Sequence, residues 1–125
     1  MLRTAIVTLA LLMISISGHA EGICEAIDGA SIVAEDGTFL GRVRNAYASD
    51  SILNEYGRFG SEYSRTSIWN EYGRYGSEYS RQSPFNPYTS TPPMILKSDT
   101  IIGYLTVNKS INGAVNPYLL KACEF

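Results

Sequence analysis

The sequence predicts a mainly β protein, in which two β-hairpins form a small antiparallel sheet with turn or short-helix aromatic repeats packed against it. A small α+β arrangement is the alternative. Three observations lead there. The stretch "ASIVAEDGTFLGRVR", residues 30–44, places Asp-Gly between two apolar runs, where glycine supplies the positive φ of a tight turn. Residues 94–107 have the same form around Ser98-Asp99. Between them, residues 51–66 and 67–82 agree at thirteen of sixteen positions, and their glycines and the prolines of a third partial copy break any continuous helix.

The chain opens on a segment with the marks of an export signal. Arg3 is followed by an apolar run from Ala5 to Ile16 and by Gly18-His19-Ala20, with small residues where a signal peptidase reads. Cleavage is expected after Ala20. The run falls short of the ~20 residues of a membrane span, so no span is expected after cleavage. Glu21 before Cys24 does not suit lipid attachment. Residues 21–125 then form one small domain, large enough for a single core.

The only cysteines, Cys24 and Cys123, stand near opposite ends of that domain. In an exported protein they are expected to form a disulfide tying the termini together, with two buried free thiols as the other reading. Two cysteines without histidine are too few for a zinc site.

The first hairpin is expected at Ser31–Ala34, the turn Glu35-Asp36-Gly37, and Thr38–Val43. The second is expected at Met94–Lys97, the turn Ser98-Asp99, and Ile101–Val107. The two resemble each other, since Ile32-Val33 followed by Asp36 and Gly41 matches Ile95-Leu96 followed by Asp99 and Gly103. One hairpin alone is marginal in water, whereas two that pair make a sheet with a buried face.

The repeat region spans residues 51–88, and "SPFNPY" at 83–88 begins the third copy. Ile52, Tyr56, Phe59 and Tyr63 fall at helical spacing, as do Ile68, Tyr72, Tyr75 and Tyr79. Glycine and proline argue instead for one short helical turn per copy. Ser51, Ser67 and Ser83 would cap it, Pro84 would take the first helical position, and Gly57 and Gly73 would end it. The remainder of each copy is expected as loop or extended chain. Asn112-Gly113 and Asn116-Pro117-Tyr118 suggest turns before a short segment from Tyr118 to Cys123.

Nine of the fourteen aromatic residues lie within 51–88, against three large aliphatic ones, Ile52, Leu53 and Ile68. Burial there is therefore expected to come from rings packed on the sheet, with a segment disordered when free as the other reading. Leu53 against Trp69 marks a place for apolar bulk, and Phe59 against Tyr75 one where a hydroxyl is dispensable. Glu55, Arg58, Glu62 and Arg65 recur as Glu71, Arg74, Glu78 and Arg81, an equal count of signs expected to cancel locally in surface pairs.

Several chemistries are disfavoured. His19 is the only histidine and leaves with the signal, so histidine-activated nucleophiles and histidine-ligated metals are excluded from the mature chain. No cofactor is expected. Loss of Arg3 leaves nine basic against twelve acidic residues, and the absence of a basic cluster argues against nucleic acid as partner.

The pattern Ser-Ile-x-Asn-x-Tyr-Gly-x-(Phe/Tyr)-Gly-Ser-x-Tyr-Ser, ending in "SPFNPY" and flanked by "DGTFLGRV" and "IIGYLTVN", resembles a group of small, uncharacterised bacterial exported proteins and domains. The resemblance covers roughly residues 30–120 and implies no activity. A looser similarity to the repeats of cell-wall and glucan-binding modules rests on recurring Tyr-Gly alone.

The function expected is therefore non-enzymatic, a binding or structural role at the cell envelope in the periplasm or outside the cell. The candidate binding residues are Tyr56, Tyr63, Trp69, Tyr72 and Tyr79, with an envelope glycan or an exported protein as partner. The alternatives are an inhibitor of an exported enzyme and a small hydrolase built on carboxylates.

Overall fold

The computed structural model describes residues 19–125. The signal-like segment up to residue 18 lies outside them. Helix α1, His19–Ile27, is followed by strands β1 (Ser31–Val33), β2 (Phe39–Arg42), β3 (Met94–Lys97), β4 (Thr100–Leu105) and β5 (Ala114–Val115), and by a 3-10 helix, Pro117–Lys121. The strands form one five-stranded sheet in the order β2-β1-β3-β4-β5, so the protein is mainly β.

Both hairpins form close to where the sequence puts them. Gly37 turns the first at φ +90°, and Ser98 and Asp99 turn the second with φ of 51° and 62°. That pair of positive values matches a two-residue turn whose twist suits a hairpin. The likeness between the hairpins has a structural counterpart, because β1 and β3 pair antiparallel with Ile32 opposite Ile95, and each hairpin carries one register shift. The sheet is mixed rather than wholly antiparallel, since β5 runs parallel to β4 and Arg42 bridges Ser51 in parallel.

Helix α1 was not foreseen. It crosses the expected cleavage junction, and Ile23 and Ile27, four residues apart, share the side that packs on the core. The Asn116-Pro117-Tyr118 turn opens the 3-10 helix, where Asn116 Oδ1 accepts from the Tyr118 N–H at 2.9 Å. Cys24 and Cys123 form the expected disulfide, with Cα atoms 5.7 Å apart, which joins α1 to the residues after the 3-10 helix.

The repeat contains no helix. Backbone hydrogen bonds close a turn at nearly every third residue, running Asn54 N–H to Ser51 O, Gly57 N–H to Asn54 O, Ser61 N–H to Gly57 O, Ser64 N–H to Ser61 O and Ser67 N–H to Ser64 O. Four steps of three residues and one of four make up the period, and the second copy repeats them. Side chains hold these turns. Ser51, Ser67 and Ser83 accept from the N–H two residues on, at 3.0 to 3.1 Å, as do Asn54, Asn70 and Asn86, at 2.9 to 3.1 Å. The serines thus cap turns in series rather than helices, because a hydroxyl that bonds its own backbone two residues on competes with the helical ladder.

Each asparagine does a second thing. Asn54, Asn70 and Asn86 donate through Nδ2 to the carbonyls of Ala48, Ser64 and Ser80, all at 3.1 Å. The repeat is therefore ordered chiefly by side chain to backbone hydrogen bonds, each worth ~1 kcal/mol net. That corrects the expectation of a ring-built interior. The buried file of the copies is Ile52, Ile68 and Pro84, beside the fully buried serines, so Pro84 stands where its partners have isoleucine and not at a helix start.

Successive copies cross the sheet. Ile52 N–H donates to Arg42 O at 3.0 Å on the β2 side, whereas Pro84 O accepts from Val107 N–H at 2.8 Å beyond β4. The first copy rests on Gly41, at φ +107°, where a Cβ would lie 2.7 Å from both Ile52 Cγ2 and Phe59 Cβ. Only glycine tolerates both that angle and that contact. The core joins Ile27, Ile32, Leu40, Ile95, Leu105 and Leu120 to the two repeat isoleucines.

One tyrosine does enter the interior. Tyr75, 9 % exposed, donates its hydroxyl towards Asp36 Oδ2 and Thr38 Oγ1, each at 2.9 Å. Its counterpart Phe59 needs no such partner, since it packs edge-on against Phe39 at 5.0 Å. Burial acts to raise the Asp36 pKa, but hydrogen bonds from Thr38 and Tyr75 and the charge of Arg74 outweigh it and leave it below the ordinary 3.8. A depressed carboxylate stabilises the fold above its ordinary pKa, and that contribution disappears as pH falls through the lowered value. Tyr75→Phe is expected to flatten the acid limb of a stability-against-pH curve below the ordinary Asp value of 3.8. Parallel curves for variant and parent would refute it.

Candidate functional site

The turns of three decide where the tyrosines go. Tyr56, Tyr72 and Tyr88 form one file at sixteen-residue spacing, each directly after an Asn-x pair whose asparagine holds its N–H. Tyr47, Tyr63 and Tyr79 form a second, each N–H held by Asn45, Ser61 or Ser77. All six rings are 85 to 98 % exposed. Of the predicted binding residues, Tyr56, Tyr63, Tyr72 and Tyr79 thus stand in water rather than in the interior expected for the repeat rings.

Two members of the files, Tyr47 and Tyr88, were missed as candidates. Asn45-Ala46-Tyr47 is a fragment of a copy preceding the first, sixteen residues ahead of Ser61-Glu62-Tyr63. The spacing of Tyr47 from Tyr63 was the signal available.

Trp69 sits differently. Its indole N–H donates to Ile52 O at 2.6 Å, the Phe85 ring lies 5.6 Å away, and the Lys121 ammonium lies 4.1 Å from its centroid. It is half-buried and ties the first copy to the third, and it also walls two clefts.

The first cleft, about 760 Å³, runs between Leu53 and Trp69 and carries Glu55, Tyr56, Glu62 and Tyr63. The second, about 660 Å³, runs between Trp69 and Phe85 and carries Glu71, Tyr72, Glu78 and Tyr79. Each residue of the second set is its counterpart in the first moved on by sixteen, so the clefts are one motif stated twice. They differ in their closing pieces. Lys121, Glu124 and Phe125 border the first, and Tyr118 borders the second, with its ring 5.2 Å from Phe85.

Charge is partitioned rather than cancelled. The repeat's glutamates at 55, 62, 71 and 78 line the clefts, and none of its arginines does. Arg74 lies 3.6 Å from Asp36 on the first hairpin and Arg58 lies over Phe59, so these two face the sheet. Among the described residues the ion pairs are Arg44 with Asp50 and Arg74 with Asp36, and neither joins a repeat glutamate to a repeat arginine. Glu62 and Glu78 raise the pKa of Tyr63 and Tyr79 above 10.0, first as hydrogen-bond acceptors for the phenols and then through charge, so both hydroxyls stay protonated at any physiological pH.

No group of three or more His, Cys, Asp or Glu side chains among the described residues is placed to hold a metal ion, and no described helix is long and apolar enough to cross a membrane. Fold and site together define a small, disulfide-closed β protein bearing a turn-repeat with twin aromatic and acidic clefts. No family model, curated protein or solved structure matches the chain.

Proposed function

We propose that this protein is an exported, non-catalytic binding module of the cell envelope whose tyrosine files stack on the sugar rings of a glycan. The observation that carries this reading is the pair of files, six nearly fully exposed rings at a fixed period, of which all but Tyr88 line two equivalent clefts. Aromatic rings exposed in this number and recurring beside clefts are the kind of surface that marks a binding site. A phenol ring offers a flat apolar face and a polar edge, which suits a pyranose, and a periodic row of such rings suits a periodic polymer. Support for export comes from the disulfide, which persists in oxidising compartments, and from the Arg3 and apolar pattern at the start of the chain.

The test uses the single tryptophan as reporter, because Trp69 lines both clefts. Titration with soluble envelope oligosaccharides is expected to give a saturable change in its emission. Combining Tyr56→Ala with Tyr72→Ala is expected to weaken binding by about tenfold or more, the usual consequence of truncating an aromatic anchor. A flat response to every oligosaccharide, together with recovery of a stoichiometric protein complex from envelope extract, would replace the glycan by a protein partner.

A further inference from the structure

The two clefts differ in one informative respect. In the first, the wall supplied by Trp69 is already covered by a primary amine from the chain itself, Lys121 Nζ at 4.1 Å from the ring centroid, with Glu55, Glu62 and Glu124 around the same cleft. The ammonium is held chiefly by the ring quadrupole, with the carboxylates of the same cleft beyond ion-pair distance and adding a weaker, longer-range attraction. In the second cleft the equivalent wall is Phe85, with the Tyr118 ring beside it and no lysine or arginine among the lining residues. Glu71 and Glu78 remain there without a cation.

We propose that this second cleft takes the protonated primary amine of an unacetylated amino sugar, with Glu71 and Glu78 as its carboxylate partners and the faces of Tyr72 and Tyr79 against the sugar ring. The proposal rests on the glycan reading above and narrows it. Lys121 in the first cleft shows, within the same molecule, that such walls accept an ammonium. An anionic polymer would meet the repeat's four glutamates, and a fully acetylated sugar would present a neutral amide with no charge to satisfy them. Rings without cationic substituents could use the tyrosines and donate hydroxyls to the carboxylates, but would leave the two negative charges unpaired.

The experiment compares short β-linked glucosamine oligomers with their N-acetylated counterparts on the full disulfide-bonded chain, below neutral pH so that the amines are protonated, by Trp69 emission and calorimetry. The glucosamine oligomers are expected to bind saturably and the acetylated ones about tenfold or more weaker. Rising salt is expected to weaken the first and spare the second. Combined Glu71→Gln and Glu78→Gln is expected to abolish most of the preference, and combined Glu55→Gln and Glu62→Gln to leave most of it, since Lys121 already serves that cleft. Equal binding of both oligomers, or binding of neither, would overturn the amine, and the glycan reading would fall with it only if every other envelope oligosaccharide also gave a flat response. An equal loss from the two glutamate pairs would overturn the assignment to the second cleft, and binding of oligolysine as tightly as glucosamine would overturn the sugar.

Discussion

Reduction of the Cys24–Cys123 bridge lowers the stability of the protein by about 4 to 5 kcal/mol, the largest single effect expected of any change to this chain. The bridge spans 99 residues of sequence. Releasing it frees the denatured ensemble from a loop of that length, and most domains of this size have only ~5 to 15 kcal/mol in total. The native end of the argument is equally specific. Helix α1 is held to the core by Ile27 and, at its edge, Ile23, so it depends most on the disulfide, whereas the 3-10 helix is also fastened by buried Pro117 and Leu120 and by Tyr118 against Phe85. For a folded domain of about a hundred residues the loss corresponds to a fall in Tm of ~20 °C. Thermal unfolding of the Cys24→Ser, Cys123→Ser double variant beside the oxidised parent measures it. A decrease of under ~1 kcal/mol would mean that the termini are secured by packing alone.

Gly76→Ala comes next, with an expected loss of about 3 kcal/mol or more. A Cβ at Gly76 would be driven onto the backbone carbonyl of Asn70 and would stand 2.7 Å from the carbonyl oxygen of Ile68. Neither can yield easily. Asn70 is pinned by its own side chain, which bonds the Tyr72 N–H and the Ser64 carbonyl, each at 3.1 Å, and Ile68 is buried. Gly60 meets Asn54 in the same way one copy earlier. Gly73 is the internal control, because a Cβ there first touches the Asn70 side chain at 3.1 Å, and its alanine variant is expected to cost under ~1 kcal/mol. Urea midpoints of the two variants separate the cases. Should they coincide, the four-residue step in the middle of each copy is not what the structure describes.

The contrast between those two glycines shows where sequence reasoning loses its grip. Both recur identically in the two copies, and nothing in the residue string tells the turn-closing Gly73 from the tightly enclosed Gly76. The hairpins were legible almost to the residue, because Asp36-Gly37 and Ser98-Asp99 carry the turn chemistry that a hairpin needs and the flanking apolar runs set its arms. The disulfide was legible from two cysteines in a chain with the marks of export. The site was legible in part. Recurrence singles out Tyr56, Tyr63, Tyr72 and Tyr79 as candidates, but the scarcity of aliphatic side chains in the same segment points to burial of its rings. The structure orders that segment with serine and asparagine side chains instead, and buries one isoleucine or proline per copy.

What the sequence by itself determined is therefore local: two turns, one cross-link, a period of sixteen, and the absence of imidazole from the chain beyond residue 20. Tertiary structure alone decided which way each repeat residue faces. Helices and strands have a side-chain period that converts spacing into faces, and a run of tight turns has none. In such a run the direction of Tyr72 or Glu71 follows from where the Asn70 side chain fastens the backbone and from which atoms of the neighbouring copy and sheet already fill the inside. That is why glutamate and arginine, alternating along the chain, separate in space, and why the tyrosines end as two outward files over paired acidic clefts.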